Sequence, residues 1–370
     1  MKTQRPSFIE IDLGALENNI SVVKQWAGPD TQIMAVVKAD AYGHGAVKVS
    51  EVAEAHGADF LGVAFLEEAV ELQDAGIKAP IVILYPEEDE RTIEAVRRGF
   101  HITISDLNQL EHIRKNVEKD RTKINYFLKV ESGMHRYGMD TDDVFATVQQ
   151  KGMRPGEQLL GITTNLADPL MRSAHLAQRQ IDNFMEVMES IKRLSRNGLY
   201  YSIDSSGSVW KNRLAEGTLA RIGHLLYGLV PGGTQNGDLK PVMSVISHIA
   251  EIHELRSGEG VGYGFSYIAS RQSRVATIPM GYADGYPWSL SNRGHVIIGG
   301  KRAPVVGRVC MDAFMIDVTE IQEAQAGAEV VVMGRMGQES IDAHQIGQWS
   351  GSFSYEVLSG WSRRLPRIYK

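Results

Sequence analysis

The chain has 370 residues, 43% of them hydrophobic and 23% charged, and a net charge of −6. That length buries a large core and suggests about two domains, while the acidic balance, with no block of lysine and arginine, argues against nucleic acid or an anionic membrane as a partner. A single cysteine, Cys310, leaves no intramolecular disulfide, and with neither an apolar signal region after Pro6 nor a run of roughly 18 apolar residues the expected compartment is the cytoplasm.

Residues 7–12, Ser7-Phe8-Ile9-Glu10-Ile11-Asp12, alternate like a strand. The next apolar run, Ile33-Met34-Ala35-Val36-Val37, stops at Lys38. An ammonium at the end of a buried strand is costly to desolvate, and a neutral amine can form a Schiff base with an aldehyde cofactor. Tyr42 and the glycines after it are placed to receive a phosphate. Spacing alone leaves as much room for a lysine that snorkels into water.

Up to about residue 230, short apolar runs alternate with amphipathic stretches. The runs fall at 32–37, 59–64, 81–85, 101–104, 124–130, 159–164, 199–203 and 222–226. Helices are predicted between them, for example at 46–56, 88–98 and 172–195, the last with Ile181, Phe184, Met185, Met188 and Ile191 on one face. Eight strands with helical crossovers predict a (β/α)8 barrel, in which chemistry sits at the C-terminal strand ends, where Lys38 stands. An open, doubly wound sheet is the other arrangement this pattern allows. Glycine, asparagine and proline between Leu229 and Asp238 mark a linker. The runs at 241–252, 275–278, 295–298, 315–318 and 329–333 lack a long helical period and predict a mostly β-strand C-terminal domain. The expected division is an initial strand in 1–12, a barrel over 13–235 and a β domain over 236–370.

The segment Ala35-Val36-Val37-Lys38-Ala39-Asp40-Ala41-Tyr42-Gly43-His44-Gly45 closely resembles the signature of alanine racemases. The likeness extends to Val261-Gly262-Tyr263-Gly264, Ile278-Pro279-Met280-Gly281-Tyr282-Ala283-Asp284-Gly285 and Val306-Gly307-Arg308-Val309-Cys310-Met311-Asp312, in the order the family has them. The resemblance implies an isomerase that uses pyridoxal 5'-phosphate (PLP) to interconvert L- and D-alanine for peptidoglycan synthesis. It also implies that residues 1–12 pair with the C-terminal domain. Lys38 would carry the cofactor and act as the base for the D-antipode, with Tyr263 as the base for the L-antipode. Two bases are needed because the proton leaves one face of the α-carbon and returns to the other. The family further implies a head-to-tail homodimer in which Tyr263 comes from the other subunit. On the residues alone Tyr263 is a turn tyrosine, its flanking glycines permitting an unusual backbone.

Phe127-Leu128-Lys129-Val130-Glu131-Ser132-Gly133-Met134-His135-Arg136-Tyr137-Gly138 is similar to a family segment in which Arg136 would hold the cofactor phenol oxygen and the substrate carboxylate. In relatives Lys129 is often carbamylated. An ordinary surface ion pair is the other reading of these residues. Leu219-Ala220-Arg221-Ile222-Gly223-His224-Leu225-Leu226-Tyr227-Gly228-Leu229 matches the segment in which Arg221 would face the pyridine nitrogen. A guanidinium does not readily give up its proton, so the ring would be a weaker electron sink than with an aspartate partner, which discourages transamination. By the same resemblance the phosphate would sit among Tyr42, Ser205, the amides near Gly223 and His224, and Tyr355, and the Met311 amide would meet the substrate carboxylate.

Two positions depart from the family. Asn165, assigned with the cofactor-binding set, replaces a histidine that packs on the ring, and Tyr201-Ser202-Ile203-Asp204-Ser205 replaces a histidine-containing strand that supports the arginine. Asparagine bonds but does not titrate, so the expectation is slower deprotonation of Tyr263 or a different amino-acid substrate. Alternatives are a racemase for serine or of broad specificity, a related PLP decarboxylase using Cys310, and a non-catalytic PLP carrier. No metal is expected, because the histidines are scattered and no third-ligand cluster accompanies His248 and His253. The glycines from Gly258 to Gly264 lack dinucleotide-binding spacing.

Overall fold

A computed structural model describes residues 5–117, 122–149, 156–193, 198–212, 218–230, 233 and 237–370. The chain divides into two compact units: one joins the residues through Ala15 with Tyr42–Gly45 and Pro241–Lys370, and the other comprises Leu16–Ala41 and Ala46–Lys240. The boundary expected between residues 235 and 236 lies outside the described residues.

The initial strand is β1 (Phe8–Ile11), and the second unit is built on β2 (Gln32–Val36), β3 (Phe60–Val63), β4 (Ile81–Ile83), β5 (His101–Ile104), β6 (Ile124–Lys129), β7 (Glu157–Thr163), β8 (Tyr200–Ser202) and β9 (Leu219–Ile222). Strands β2 to β9 form an eight-stranded parallel sheet in which β2 pairs with both β3 and β9. Backbone bonds from Thr218 N–H to the Tyr201 carbonyl (2.9 Å) and from Arg221 N–H to the Asp204 carbonyl (3.0 Å) draw β9 to β8 and nearly close the ring. The sheet is therefore the barrel, not the open alternative.

Most of these strands are buried along their length, as continuous apolar runs in a parallel sheet require. Met34, Phe60, Val82, Phe127, Leu160 and Leu219 fill one layer. Phe60 meets Tyr200 edge-on, with ring centroids 5.4 Å apart. Two expectations shift. The eighth strand is Leu219–Ile222 rather than 222–226, because His224–Tyr227 curls into a 3-10 turn ending at Gly228 in a left-handed conformation. The helix Ala174–Arg193 buries Ala177, Gln180, Phe184, Val187, Met188 and Ile191, whereas Ile181 and Met185 stay half-exposed at the edge of that stripe.

The first unit is built on a ten-stranded sheet, with a separate two-stranded ribbon at Gly260–Val261 and Tyr267–Ile268. Its β1 runs antiparallel to β10 (Met243–His248), with Ile9 opposite Val245, and parallel to the last strand, Arg367–Tyr369. Ile9 and Ile11 are fully buried while Glu10 is not, which follows the alternation read from the sequence. Just before β1, Arg5 makes a two-pronged ion pair with the buried Asp284, at 2.7 Å on each prong. Among the described residues no helix is long and apolar enough to cross a membrane, and no group of three or more His, Cys, Asp or Glu is placed to hold a metal ion.

Candidate active site

Where β2 ends, the chain turns the wrong way for L-residues. Ala39, Asp40, Ala41 and Tyr42 have φ between 52° and 55°, and Gly43 follows at 83°, so Lys38–Gly43 is a left-handed helical turn. Each non-glycine residue in that state costs about 1–2 kcal/mol. Specific bonds hold the turn: Glu68 accepts from the Ala39 amide (2.7 Å) and from Ala64 (2.6 Å), Asp40 accepts from Ala46 (2.8 Å), and Ala41 N–H reaches the Val37 carbonyl (2.8 Å). The half-buried Lys38 is thereby fixed at the C-terminal rim of the barrel.

Lysine and arginine side chains recur on other strands of the barrel and on the loop after β6. Lys129 closes β6 and is only 8% exposed. Burial, reinforced by Arg221 and Arg136, holds its proton affinity well below the usual lysine range. Its Nζ donates to Asn165 Oδ1, which also accepts from Arg136 Nη2 at 3.5 Å. Asn165 thus bridges Lys129 and Arg136 through one neutral oxygen. Glu131, the nearby carboxylate, is committed to its own loop: burial pushes its pKa up, but the amides of His135, Gly133, Met134 and Arg136 outweigh that and lower it.

Arg221 is buried and donates to four neutral oxygens. Its Nη1 donates to Thr163 Oγ1 (3.0 Å), Ser202 O (2.6 Å) and Ser202 Oγ (2.5 Å), and its Nη2 to Thr164 O (2.5 Å). Burial lowers its pKa to about 10, with Asp204 opposing and Arg136 adding to the shift. Tyr201 does not support this arginine. It faces the helix Ala174–Arg193, where Lys192 Nζ lies 5.5 Å from its ring centre, and burial raises its phenol pKa. Ser202, one residue on and therefore on the opposite side of the strand, takes the supporting place.

Sequence reasoning missed Tyr85. It follows β4, and its hydroxyl lies 3.3 Å from Lys38 Nζ. Lys38 Nζ and Arg136 Cζ sit 5.0 Å and 5.4 Å from its ring centre. The signal was available: Tyr85 ends an apolar run of the barrel just as Lys38 does. Ser205 precedes the short helix Ser206–Trp210 without capping it through its side chain, and the Gly223 amide donates to Ser206 Oγ at 3.1 Å. His224 is buried in the 3-10 turn that follows.

In the sheet unit Tyr263 is 72% exposed, raised on a turn in which Gly262 and Gly264 have φ of 67° and 69°. Glycine accommodates both at little cost. Met311 is exposed, and its carbonyl accepts from the Ala283 amide at 3.0 Å. A side chain at Gly281 would strike the Cys310 and Met311 carbonyls at 2.3 Å, which holds these two motifs against one another. Tyr42 and Tyr355 are ring neighbours at 5.8 Å.

A lysine amine beside a phenol, two arginines and a second, desolvated lysine, gathered at the rim of a parallel barrel, suit an anionic aldehyde cofactor. The donor set fits PLP: an amine for the aldehyde, and a buried guanidinium on neutral acceptors that keeps its charge available to a ring nitrogen. Fold and site therefore define the class of barrel enzymes that work with PLP on small amino acids. The family model described as alanine racemase, N-terminal domain, matches residues 11–231, and that described as alanine racemase, C-terminal domain, matches residues 242–369. An alanine racemase from Halothermothrix orenii is 37% identical over 99% of this chain and 97% of its own length. The Bacillus anthracis alanine racemase structure with bound L-Ala-P superimposes with a TM-score of 0.90 at 30% identity, covering 100% of this chain and 96% of that one. The alanine racemase from Bartonella henselae with covalently bound pyridoxal phosphate gives 0.87 at 27% identity, covering 99% of each. The chain belongs to the alanine racemase family, whose cofactor is PLP.

Proposed function

We propose that this chain interconverts L- and D-alanine with PLP held at Lys38, using Lys38 and Tyr263 as its two bases and supplying D-alanine for peptidoglycan in the cytoplasm. The observation that carries the reading is the position of Lys38 at the barrel rim beside Tyr85, with Arg136 against the same phenol ring and the buried Arg221 on β9, the strand paired with β2. When bound, the cofactor withdraws electrons from the amino acid so that its α-proton becomes removable. Lys38 takes or returns that proton on one face, for the D-antipode. Arg136, an exposed planar fork, holds the substrate carboxylate together with the Met311 amide, and Arg221 donates to the ring nitrogen without surrendering its proton. Tyr42, Ser205, Gly223, His224 and Tyr355 are assigned to the phosphate, and Asn165 to the ring. Lys129, with its proton disfavoured by burial, is the residue assigned to carbamylation, which an intact mass raised by one carbon dioxide detects.

Tyr263 works on the other face, and a second copy of the chain supplies it. What supports this is its exposure on a glycine-flanked turn, with Phe265, Ile268, Tyr282, Trp288 and Met311 also exposed in the same unit. Such apolar surface is what a homodimer buries.

The test is a solvent-deuterium experiment on the holoenzyme. The unsubstituted protein racemises alanine and absorbs in the visible, and Lys38→Ala loses that absorbance. Tyr263→Phe keeps α-hydrogen exchange from D-alanine and loses it from L-alanine. Equal loss from both would overturn the assigned faces.

A further inference from the structure

We propose that Tyr85 is a catalytic residue of the lysine half of the reaction, its hydroxyl steadying the Lys38 ammonium and its ring seating Arg136. This deepens the two-base reading and rests on it.

The geometry is specific. The hydroxyl is 3.3 Å from Lys38 Nζ, while the same ring lies beneath Lys38 Nζ at 5.0 Å and Arg136 Cζ at 5.4 Å. One phenol therefore meets the reacting amine by its edge and two cations by its face. Oxygen and π-cloud both favour a cation, so both favour the amine once it has taken a proton. The ring is itself held: Phe65 stacks on it at 6.1 Å and Tyr137 meets it edge-on at 5.7 Å. Leu84 N–H bonds to the Val63 carbonyl at 2.9 Å, so the backbone leading into Tyr85 is part of the barrel wall.

A proton acceptor must be positioned in both of its protonation states. Lys38 as a free amine lends its lone pair and can accept from the phenol; as an ammonium it donates to the phenol oxygen. A hydroxyl serves both states by rotating, which neither a carboxylate nor an aliphatic side chain can do. Tyr85 also couples the proton step to substrate binding, because displacing its ring frees Arg136 as well as Lys38.

The test uses two variants and two readouts. Tyr85→Phe keeps the ring and removes the hydroxyl; Tyr85→Leu removes both. In the holoenzyme, Tyr85→Phe is expected to slow solvent-deuterium exchange from D-alanine about ten-fold, leaving exchange from L-alanine within about two-fold and KM unchanged. Tyr85→Leu shows the same asymmetry with KM raised several-fold. In cofactor-free protein at fixed neutral pH, acetic anhydride labels Lys38 about five-fold faster in Tyr85→Phe, because Nζ is no longer hydrogen-bonded to the phenol. Equal slowing of both enantiomers by Tyr85→Phe, or an unchanged labelling rate at Lys38, overturns the proposal. Failure of the underlying two-base reading shows separately, in a Lys38→Ala variant that still exchanges both enantiomers.

Discussion

Ser202 and Arg221 are joined so that the serine can only accept. The single hydrogen of Ser202 Oγ goes to the Leu219 carbonyl at 2.8 Å, leaving its lone pairs to the guanidinium. Thr163 follows the same rule, donating to the Ser202 carbonyl at 3.0 Å and accepting from Arg221 Nη1. The buried cation thus donates to neutral oxygens whose own hydrogens are spent elsewhere or absent, while the buried Asp204 favours its charge.

Replacing Ser202 by Ala removes one of those acceptors while keeping the Ser202 carbonyl. The expected result is a fall of about ten-fold in kcat/KM and weaker PLP retention on dialysis, with little change in Tm. Thr163→Val gives a similar loss. Because both act on one guanidinium, the double variant loses less than the product of the two, a comparison that steady-state kinetics makes directly.

His101, at the start of β5, lies against Phe60 with ring centres 6.0 Å apart, and burial lowers its pKa from 6.5 to about 4. In the unfolded chain it protonates first, so acid favours unfolding. Stability attributable to this site is present above pH about 6.5 and is lost as pH falls toward 4, by about 3 kcal/mol over the window. His101→Phe removes that loss, and thermal unfolding measured from pH 7 to 4 shows a shallower decline than the parent chain.

Tyr286 is buried with its ring stacked on Phe314, centroids 4.3 Å apart, and its hydroxyl has no hydrogen-bond partner among the described residues. Burial pushes its phenol pKa far up. Removing an unsatisfied buried hydroxyl while keeping the ring gains up to about 1 kcal/mol. Tyr286→Phe is therefore expected to unfold at equal or slightly higher denaturant concentration, and a clear fall in the midpoint would contradict this.

Arg5 lies near the start of the chain, yet it neutralises the fully buried Asp284, which also accepts from the Gly281 amide at 2.9 Å and lies 3.3 Å from Arg364 Nε. Arg5→Ala leaves that carboxylate with the Gly281 amide and the half-exposed Arg364 and is expected to cost about 3 kcal/mol of stability. Because Asp284 fixes the turn whose Tyr282 and Ala283 amides bond to the Cys310 and Met311 carbonyls, kcat/KM falls as well, and Arg5→Lys recovers part of both losses. Differential scanning calorimetry and initial rates check the two effects.

The period-two and continuous apolar runs were enough to count the barrel strands in order and to read residues 7–12 as a strand, because strand patterning is local and buried parallel strands are apolar throughout. The same locality exposed Lys38, a charge stranded where such a run stops. It failed at the eighth strand, where Ile222, Leu225 and Leu226 read as an apolar run but the chain leaves the strand after Ile222 and curls into a 3-10 turn. Neighbour relations across strands were beyond it. That Tyr85 meets Lys38, that Asn165 bridges Lys129 and Arg136, and that Ser202 rather than Tyr201 faces Arg221 all depend on register between strands far apart in the chain. A slip of one residue sends every side chain to the other side of the sheet, and only the closed barrel fixes that choice.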